Sequence, residues 1–168
     1  MKKIIRILLL ITILVFNFNN SYSVNNTSNI VNNIEKQDYK SITKQYAKQN
    51  NINWRILYSI FINESNLNVK AMGDHYKAFG LGQVHLTTAK YYDDAATIKQ
   101  LLTPDYNIKI SCIVFKDYLD RYDGDYAYAI AAYNAGPKTI DKNYKYKTNP
   151  HNIDYITNIF LVASQLDN

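Results

Sequence analysis

Glu64 is the residue of this sequence whose type and position point most directly to chemistry. Leu57, Ile60 and Phe61 precede it at helical spacing, so the four side chains share one face of a predicted helix. That face is otherwise apolar, and a buried glutamate is rare unless it is paired or functional. Burial raises the pKa of a carboxyl group, and an acid that is still protonated near neutral pH can serve as a general acid. The alternative is an exposed carboxylate at the frayed end of the helix.

The sequence predicts no metal ion, cofactor or disulfide to accompany this acid. The three histidines are too scattered for a zinc site, and the acidic residues around Gly124 lack the ligand spacing of a calcium loop. No glycine-rich phosphate-binding loop is present. Cys112 is the only cysteine, and we expect it to be a small buried hydrophobe.

Two predicted helices lead to this acid. Residues 39–49 form an amphipathic pattern with Ile42, Tyr46 and Ala47 facing inward. Asn53 is the expected N-cap of the second helix, because asparagine is favoured at that position.

A long loop is predicted directly after the acid. Residues 65–86 carry three glycines and show neither a sustained period nor a convincing strand pattern. Loops of this length in a compact domain are usually functional, so we predict an active-site loop here. A short helix over residues 87–92 should follow it.

The middle of the chain is predicted to hold the main core helix. A helical turn at residues 98–102 is expected to end at Pro104, and the next helix to start at Asp105 or Asn107. Five residues of that helix recur at gaps of four and three and form its predicted inner face: Ile108, Cys112, Phe115, Leu119 and Tyr122.

Two more helices complete a predominantly all-α domain. Residues 126–133, rich in alanine and tyrosine, should form a closely packed helix that stops at Gly136–Pro137. The polar stretch 138–148 is predicted to be a loop, with Asn149–Pro150 as the N-cap and first residue of the last helix. The expected inner face of that helix consists of Ile153, Ile156, Phe160 and Ala163.

The first 23 residues have the pattern of a secretory signal peptide. A basic start precedes an apolar run at residues 7–16, and small residues occupy the −3 and −1 positions of a cut after Ser23. The alternative is an uncleaved anchor, although the apolar run is short for a membrane span. We therefore expect a signal peptide at 1–23, a flexible lead-in at 24–38 and one domain at 39–168, in the periplasm or secreted.

The charge balance argues against nucleic acid as a partner. Outside the predicted signal peptide the chain carries 16 basic and 14 acidic residues, and they form no dense Lys/Arg run. Contact with a membrane is expected only through the signal segment, and we expect a monomer.

Four short stretches occur in an order and spacing that resemble a known family. They are Glu64-Ser65, Gly80-Leu81-Gly82-Gln83 with the trailing Thr88-Ala89, Ala132-Tyr133-Asn134-Ala135-Gly136, and Tyr155-Ile156. Together they resemble the soluble lytic transglycosylase (SLT) domain, a bacterial relative of goose-type lysozyme, over residues 39–166. The sequence departs from that family at Gly82, where Met is common, and at His85 and Leu86, which replace a common Met-Pro; these departures bear on substrate fit.

The resemblance implies a lysozyme-like helical domain that cleaves peptidoglycan glycan strands without a cofactor. Glu64 would protonate the β-1,4 bond from N-acetylmuramic acid to N-acetylglucosamine. It would then take the proton from the muramic acid C6 hydroxyl as that oxygen attacks C1, which gives a 1,6-anhydro product. The resemblance also implies service to a trans-envelope secretion or conjugation machine.

The same resemblance implies six substrate-binding residues: Ser65, Gln83, Thr88, Tyr133, Asn134 and Tyr155. Each also has a structural interpretation. The two tyrosines suit core packing, and the polar side chains suit contacts within loops and helix starts.

Two alternative functions remain open at this point. Ordinary glycosidases need a second carboxylate, for which the candidates are Asp74, Asp93 and Asp94; these are otherwise solvated surface acids. If one of them positions a water, the protein is a goose-type muramidase that hydrolyses the same bond. The other alternative is a catalytically weak peptidoglycan-binding assembly factor of an envelope secretion system.

Overall fold

The structure is a computed structural model and describes residues 38–167. Within that range the chain forms eight helices and one small sheet. The first helix, α1, covers residues 38–49, and the others are α2 (Trp54–Ser65), α3 (Leu86–Tyr92), α4 (Ile98–Leu101), α5 (Pro104–Arg121), α6 (Tyr126–Ala135), α7 (Pro137–Tyr146) and α8 (Ile153–Gln165). The predicted predominantly all-α class is confirmed.

Helix α2 is buried over its middle six residues, 56–61, and packs against α8. Asn53 is its N-cap, as predicted, and its side-chain oxygen accepts a hydrogen bond from the backbone N–H of Arg55 at 3.1 Å. Leu57, Ile60 and Phe61 have no exposed surface. The apolar face predicted from the helical spacing therefore lies in the core. It leads toward Glu64, the penultimate residue of the helix.

The long loop after α2 contains three antiparallel strands of two residues each, so the expectation of no strand is wrong. They are β1 (Met72–Gly73), β2 (Ala78–Phe79) and β3 (Val84–His85), in the order β1-β2-β3, with Phe79 paired to both Met72 and Val84. Strands of two residues are too short to show an alternating pattern in sequence.

The segment between β2 and β3 is anchored in two separate parts of the core. Phe79 and Val84 belong to a small cluster with residues of α3, α4 and α5, which includes Leu101 and Ile110. Leu81, between them, is fully buried in the large cluster formed by the other helices. This placement fixes the backbone of the segment that carries the glycines and Gln83.

Helix α5 supplies the largest share of the core, and its five predicted inward residues are all buried. Its start differs from the prediction. Pro104 is the first residue of the helix rather than the end of the preceding turn, and Thr103 precedes it as the N-cap. Proline suits this position because the first N–H groups of a helix have no partner within it.

Residues 138–148 were expected to be a loop, but most of them form α7. Ile140 is fully buried, and the ring of Tyr144 packs edge-on against that of Tyr122 at 5.1 Å. Ile140 and Tyr144 are four residues apart and share one helix face, but the surrounding lysines and asparagines hide this pattern in the sequence. The loop prediction rested on the polar composition of the segment, whereas its narrow apolar face is what forms the helix.

Helix α8 also starts and faces differently from the prediction. Its N-cap is Asn152, because Asn149 is held at the end of α7 by a hydrogen bond from Asn143 to its carbonyl. Ile153 and Phe160 are 47 % and 41 % exposed, so their assignment to the inner face is wrong. The buried positions are Ile156, Ile159 and Ala163.

The predicted signal peptide and nearly all of the predicted lead-in lie outside the described residues. Asp38, the first residue described, is already helical. No helix in the part of the chain that the structure describes is long and apolar enough to cross a membrane.

Candidate active site

Glu64 is partly buried near the C-terminal end of α2, and it has one close hydrogen-bond partner. The hydroxyl of Tyr155, on α8, donates to Oε1 of Glu64 at 2.6 Å. Burial raises the pKa of the Glu64 carboxyl, and the hydrogen bond from Tyr155 offsets part of this rise. The protonated form of Glu64 is therefore more favoured than in a free glutamate, and the hydrogen bond from Tyr155 is available to stabilise its carboxylate form.

The packing of α8 against α2 brings Tyr155 to the acid. Tyr155 lies one helical turn before the buried Ile159, so the two side chains share one face of α8. A second hydrogen bond joins the two helices, from the side chain of Asn158 to that of Asn63, the residue before Glu64. Burial and the Glu64 charge both raise the pKa of Tyr155, so this hydroxyl keeps its proton and serves as a hydrogen-bond donor.

Tyr133 connects the acid to the loop. Its hydroxyl donates to the backbone carbonyl of Gly82 at 2.8 Å. Burial raises the pKa of Tyr133 first, and the nearby charge of Glu64 raises it further. The structure thus brings Glu64, Tyr155 and Tyr133 together from three helices.

Ser65 and Gln83 were expected to bind substrate, but in the structure both side chains form hydrogen bonds with the backbone of the loop. The hydroxyl of Ser65 contacts the carbonyl of Leu81 at 2.9 Å, which ties the end of α2 to the loop. The Gln83 side-chain amide donates to Gly80 at 2.9 Å, and its oxygen lies against Gly73, where a Cβ would clash with it. These contacts agree with the structural interpretation of the two side chains, in which they stabilise the loop.

Gly82 fills a position that leaves no room for a side chain. A Cβ there would overlap the hydroxyl of Ser111 and come within 2.6 Å of the Tyr133 hydroxyl and 3.1 Å of the Phe61 ring. The surrounding side chains therefore leave space only for glycine here, where Met is common in the family. The absence of a side chain lets the Tyr133 hydroxyl reach the carbonyl of Gly82.

Asn107 is a site residue that sequence reasoning used only as a helix start. Its side chain is fully buried, and its amide donates to the carbonyls of Phe79 at 2.9 Å and Leu101 at 2.8 Å. Its oxygen accepts from the N–H of Gly82 at 2.8 Å. The available signal was an asparagine directly before Ile108 on the buried stripe of α5, where a polar side chain needs buried partners.

Thr88 and Asn134 do not join the group around Glu64. Thr88 lies on α3 and lines a separate groove with Tyr91 and Tyr92. Asn134 is exposed, and its oxygen accepts a hydrogen bond from Asn152 at 2.9 Å, which links the end of α6 to the start of α8.

The three candidates for a second carboxylate have partners or surroundings of their own. Asp74 lies in the β1–β2 turn, 3.4 Å from the side chain of His85. Asp93 accepts from the hydroxyl of Tyr106 at 2.7 Å, and Asp94 is exposed. Within the described range, no other carboxylate contributes to the pKa shift of Glu64. Among the described residues, Glu64 is therefore the one acid that we assign to this site.

No cluster of metal-binding side chains occurs among residues 38–167. Cys112 is fully buried, as predicted, and burial raises the pKa of its thiol to about 12. The thiol is therefore not a nucleophile at neutral pH.

The hydrogen bond between Tyr155 and Glu64 yields a first prediction. Tyr155→Phe should raise the pKa of Glu64, because it removes the donor that favours the carboxylate. The measurement is a pH titration by ¹³C NMR with labelled glutamate. The sequence contains only Glu35 and Glu64, so two carboxyl signals are expected, and Glu64→Gln assigns them.

Tyr128→Phe is the matched control for this titration. The hydroxyl of Tyr128 bonds to the carbonyl of Thr148 and makes no contact with the acid, so the pKa of Glu64 should not change. An unchanged or lower pKa of Glu64 in Tyr155→Phe would contradict the assigned role of the tyrosine.

Comparisons with known proteins agree on one family and one fold. The model of the transglycosylase SLT domain matches residues 41–156 of this chain. Among solved structures, an inactive mutant of the lytic transglycosylase Slt from Pseudomonas aeruginosa is similar over 73 % of this chain, with 24 % sequence identity and a TM-score of 0.65. The 70 kDa soluble lytic transglycosylase from Escherichia coli is similar over 75 % of it, with 23 % identity and a TM-score of 0.68. This chain spans 23 % of the length of each of these two proteins.

Proposed function

Because the chain belongs to the transglycosylase SLT domain family, we propose that it is a peptidoglycan lytic transglycosylase. The observation that carries the proposal is the Glu64 carboxyl, whose pKa is raised by burial and whose Oε1 accepts a hydrogen bond from Tyr155. A protonated carboxyl with a fixed orientation is what cleavage of a glycosidic bond requires of a general acid. The substrate is the β-1,4 bond from N-acetylmuramic acid to N-acetylglucosamine.

In the first step of the proposed reaction, Glu64 gives its proton to the glycosidic oxygen. The Tyr155 hydroxyl occupies Oε1, so Oε2 is the oxygen that carries the proton toward the substrate. The bond from C1 to the leaving oxygen breaks, and N-acetylglucosamine departs with that proton. The hydrogen bond from Tyr155 then stabilises the carboxylate that remains in a partly buried site.

In the second step the same carboxylate acts as the base. The C6 hydroxyl of the muramic acid attacks its own C1, and Glu64 accepts the hydroxyl proton, which returns the acid to its starting form. No water is consumed, and the product is a 1,6-anhydro sugar. Because the nucleophile belongs to the substrate, one carboxylate is enough, whereas retaining and inverting glycosidases use two.

The loop that carries Gly82 and Gln83 is proposed to form one wall of the sugar site. Tyr133 holds the carbonyl of Gly82, and Ser65 holds that of Leu81, so this wall is rigid before substrate arrives. Rigid positioning of a sugar beside the acid lowers the entropy lost in reaching the transition state. Gln83 can exchange its bond to Gly80 for a bond to a sugar substituent, which keeps its proposed role in binding.

We place the reaction in the periplasm or outside the cell, where peptidoglycan lies, after removal of the signal peptide predicted at residues 1–23. The proposal includes a monomer, which light scattering can check. The proposal also includes a function in a trans-envelope secretion or conjugation machine, which is inferred from the family alone.

The test is mass spectrometry of purified peptidoglycan digested with the purified protein. Anhydro muropeptides, one water lighter than hydrolytic products, are the expected result, and they should be absent from a parallel Glu64→Gln digest. Reducing-end products would mean a muramidase and would direct attention to Asp74, Asp93 and Asp94. Retention on the wall without soluble products would mean the binding role instead.

A further inference from the structure

The end of α2 opposite Glu64 carries a cluster of cations around the one tryptophan of the chain. Trp54 is the first residue of this helix and Glu64 the eleventh, so about 15 Å of helix separates them. The ammonium groups of Lys40 and Lys44 lie 5.0 and 4.5 Å from the centre of the Trp54 ring. The guanidinium group of Arg55 lies 5.1 Å from the same ring. Three like charges are therefore held together at one aromatic side chain.

The lysines of this cluster are not neutralised by carboxylates within residues 38–167. The ion pairs of that range involve other cations, and Lys40 donates to the backbone oxygen of Asp167 at 3.3 Å. Lys48 is exposed and follows Lys44 by four residues, so it extends the same row along α1. Asp38 lies two residues before Lys40 and therefore on a different face of the helix. This side of α1 presents a row of positive charges.

An apolar groove with exposed side chains at its edge lies directly beside these cations. It has a volume of about 350 Å³ and lies between the starts of α2 and α6 and the end of α8. Arg55 lines it from α2, and Phe160 and Ala163 line it from α8. Phe160 is 41 % exposed, and its neighbour Leu161 is 55 % exposed. Exposed apolar surface that adjoins a groove marks a site of contact with another protein or with a membrane.

This combination of side chains suits the surface of an anionic membrane. Anionic headgroups attract lysine and arginine, tryptophan is enriched at the boundary between membrane and water, and phenylalanine and leucine enter the acyl chains below the headgroups. A free phosphate ion would engage the cations alone and leave the apolar side chains in water. The position in the fold agrees with a membrane contact, because Glu64 lies at the far end of α2 and stays accessible to peptidoglycan.

We propose that one surface of the domain binds membranes rich in anionic phospholipids, and that this surface consists of Lys40, Lys44, Trp54, Phe160 and Leu161. The contact is additional to the one expected for the signal segment, since it belongs to the folded domain and remains after the signal peptide is removed. It holds the domain at the membrane with the acid directed away from it. The inference does not depend on the proposed reaction, because membrane binding requires no catalysis.

Trp54 fluorescence provides the direct test, because Trp54 is the only tryptophan in the chain and reports on this surface alone. The protein from Val24 onward is titrated with vesicles of phosphatidylglycerol and phosphatidylethanolamine, and binding is measured in parallel by sedimentation. We expect binding that is reversed at high salt, together with a shift of the emission to shorter wavelength. Phosphatidylcholine vesicles and inorganic phosphate should leave the emission unchanged. The same shift with either of these would overturn the proposal, as would binding without any change in emission or no binding to anionic vesicles.

Substitutions test which side chains make the contact. The double substitution of Lys40→Gln and Lys44→Gln should weaken binding to anionic vesicles about 25-fold, since each lysine near an anionic surface contributes about fivefold. Leu161→Ser should weaken binding without changing the charge, because it removes apolar surface that enters the membrane. Unchanged binding in either variant would contradict the proposed surface.

The matched control is the double substitution of Lys145→Gln and Lys147→Gln. It changes the net charge equally, and these lysines also lie over tyrosine rings, but at the end of α7. Binding should stay at the wild-type level; an equal loss would mean that net charge alone decides, and would overturn the proposal. Binding of oligoglutamate without binding to anionic vesicles would indicate an acidic protein partner and would overturn it too. None of these measurements contains peptidoglycan, so their failure leaves the proposed reaction untouched, and failure of the reaction leaves the membrane contact untouched.

Discussion

Glu64→Gln is expected to lower the rate of anhydro-product formation by about 10³-fold, since general acid–base catalysis typically contributes between 10² and 10⁴. The effect should be large because, in the proposed reaction, one residue performs both proton transfers, and no other described carboxylate acts on its pKa. Glutamine keeps the size of the side chain and can still accept the hydrogen bond from Tyr155. The measurement is the initial rate of product release from purified peptidoglycan, quantified by mass spectrometry.

The same substitution should leave the fold as stable as before, or more so. The pKa of Glu64 is raised in the folded state, so the protonated form is the one that folding favours. Its contribution to stability is fully present below the unfolded-state pKa and is lost as the pH rises through the folded-state pKa. Glutamine mimics the protonated form at every pH. The Tm of Glu64→Gln at neutral pH should therefore equal or exceed that of the wild-type protein.

Asp94→Asn is the matched control for Glu64→Gln. It makes the same chemical change at an exposed acid that was one of the candidates for a second carboxylate. Activity and Tm should both stay close to wild type. A comparable loss of activity in Asp94→Asn would contradict the one-acid mechanism, and a lower Tm in Glu64→Gln would contradict the burial of the carboxyl.

The helix that carries Glu64 was predictable because every level of the sequence agrees there. Asn53 caps it, and the apolar residues at positions 57, 60 and 61 define one face that leads to the acid. The inner face of α5 was predictable for the same reason, since its apolar spacing persists over four turns. Long, regular patterns of this kind leave little room for another interpretation.

Elements that depend on tertiary contacts could not be predicted in this way. Helix α7 has one buried residue, Ile140, and tertiary contacts such as that of Tyr144 with Tyr122 and the ion pair of Asp141 with Arg121 support it further. The strands of two residues exist because Phe79 and Val84 are buried by distant helices. In each case the residues that decide the structure are far away in sequence, and no local period records them.

The roles of the site residues show the same division. Sequence motifs singled out Glu64, Tyr133 and Tyr155, which the structure brings close together, but they could not show which partner each side chain has. Ser65 and Gln83 bond to carbonyl groups of the loop, and these bonds depend on how the loop is folded. The backbone of Gln83 itself has a φ of 47°, a conformation that the surrounding contacts must stabilise.

That stabilisation points to Asn107 as the residue on which the loop most depends. Its side chain makes three hydrogen bonds, and two of their partners, Phe79 and Gly82, lie on either side of Gly80. Gly80 itself has a φ of +73°, and its Cα faces the Asn107 amide and the carbonyl of Leu101 so closely that a Cβ would overlap both. The loop, α4 and α5 are therefore joined at one buried amide.

Asn107→Ala is expected to destabilise the protein by about 3 kcal/mol, because it leaves buried backbone groups without partners, each at a cost of about 1–3 kcal/mol. The Tm should fall by about 10 °C. Activity measured well below that Tm should fall too, since the carbonyl of Gly82 is the acceptor for Tyr133, and a displaced loop moves the sugar wall away from Glu64. Thermal unfolding and kcat at a temperature where both proteins are folded measure the two effects.

Asn143→Ala separates this effect from the loss of an ordinary asparagine. Asn143 is partly buried on α7 and makes hydrogen bonds to Thr148 and Asn149, remote from the acid. Its loss should cost about 1 kcal/mol, the usual net contribution of a hydrogen bond, and leave kcat unchanged. If Asn107→Ala behaved like Asn143→Ala in both measurements, the loop would be held by its apolar anchors Phe79, Leu81 and Val84 alone. Because those anchors fix the path of the chain but not the direction of its carbonyl groups, we expect the two variants to differ most in kcat.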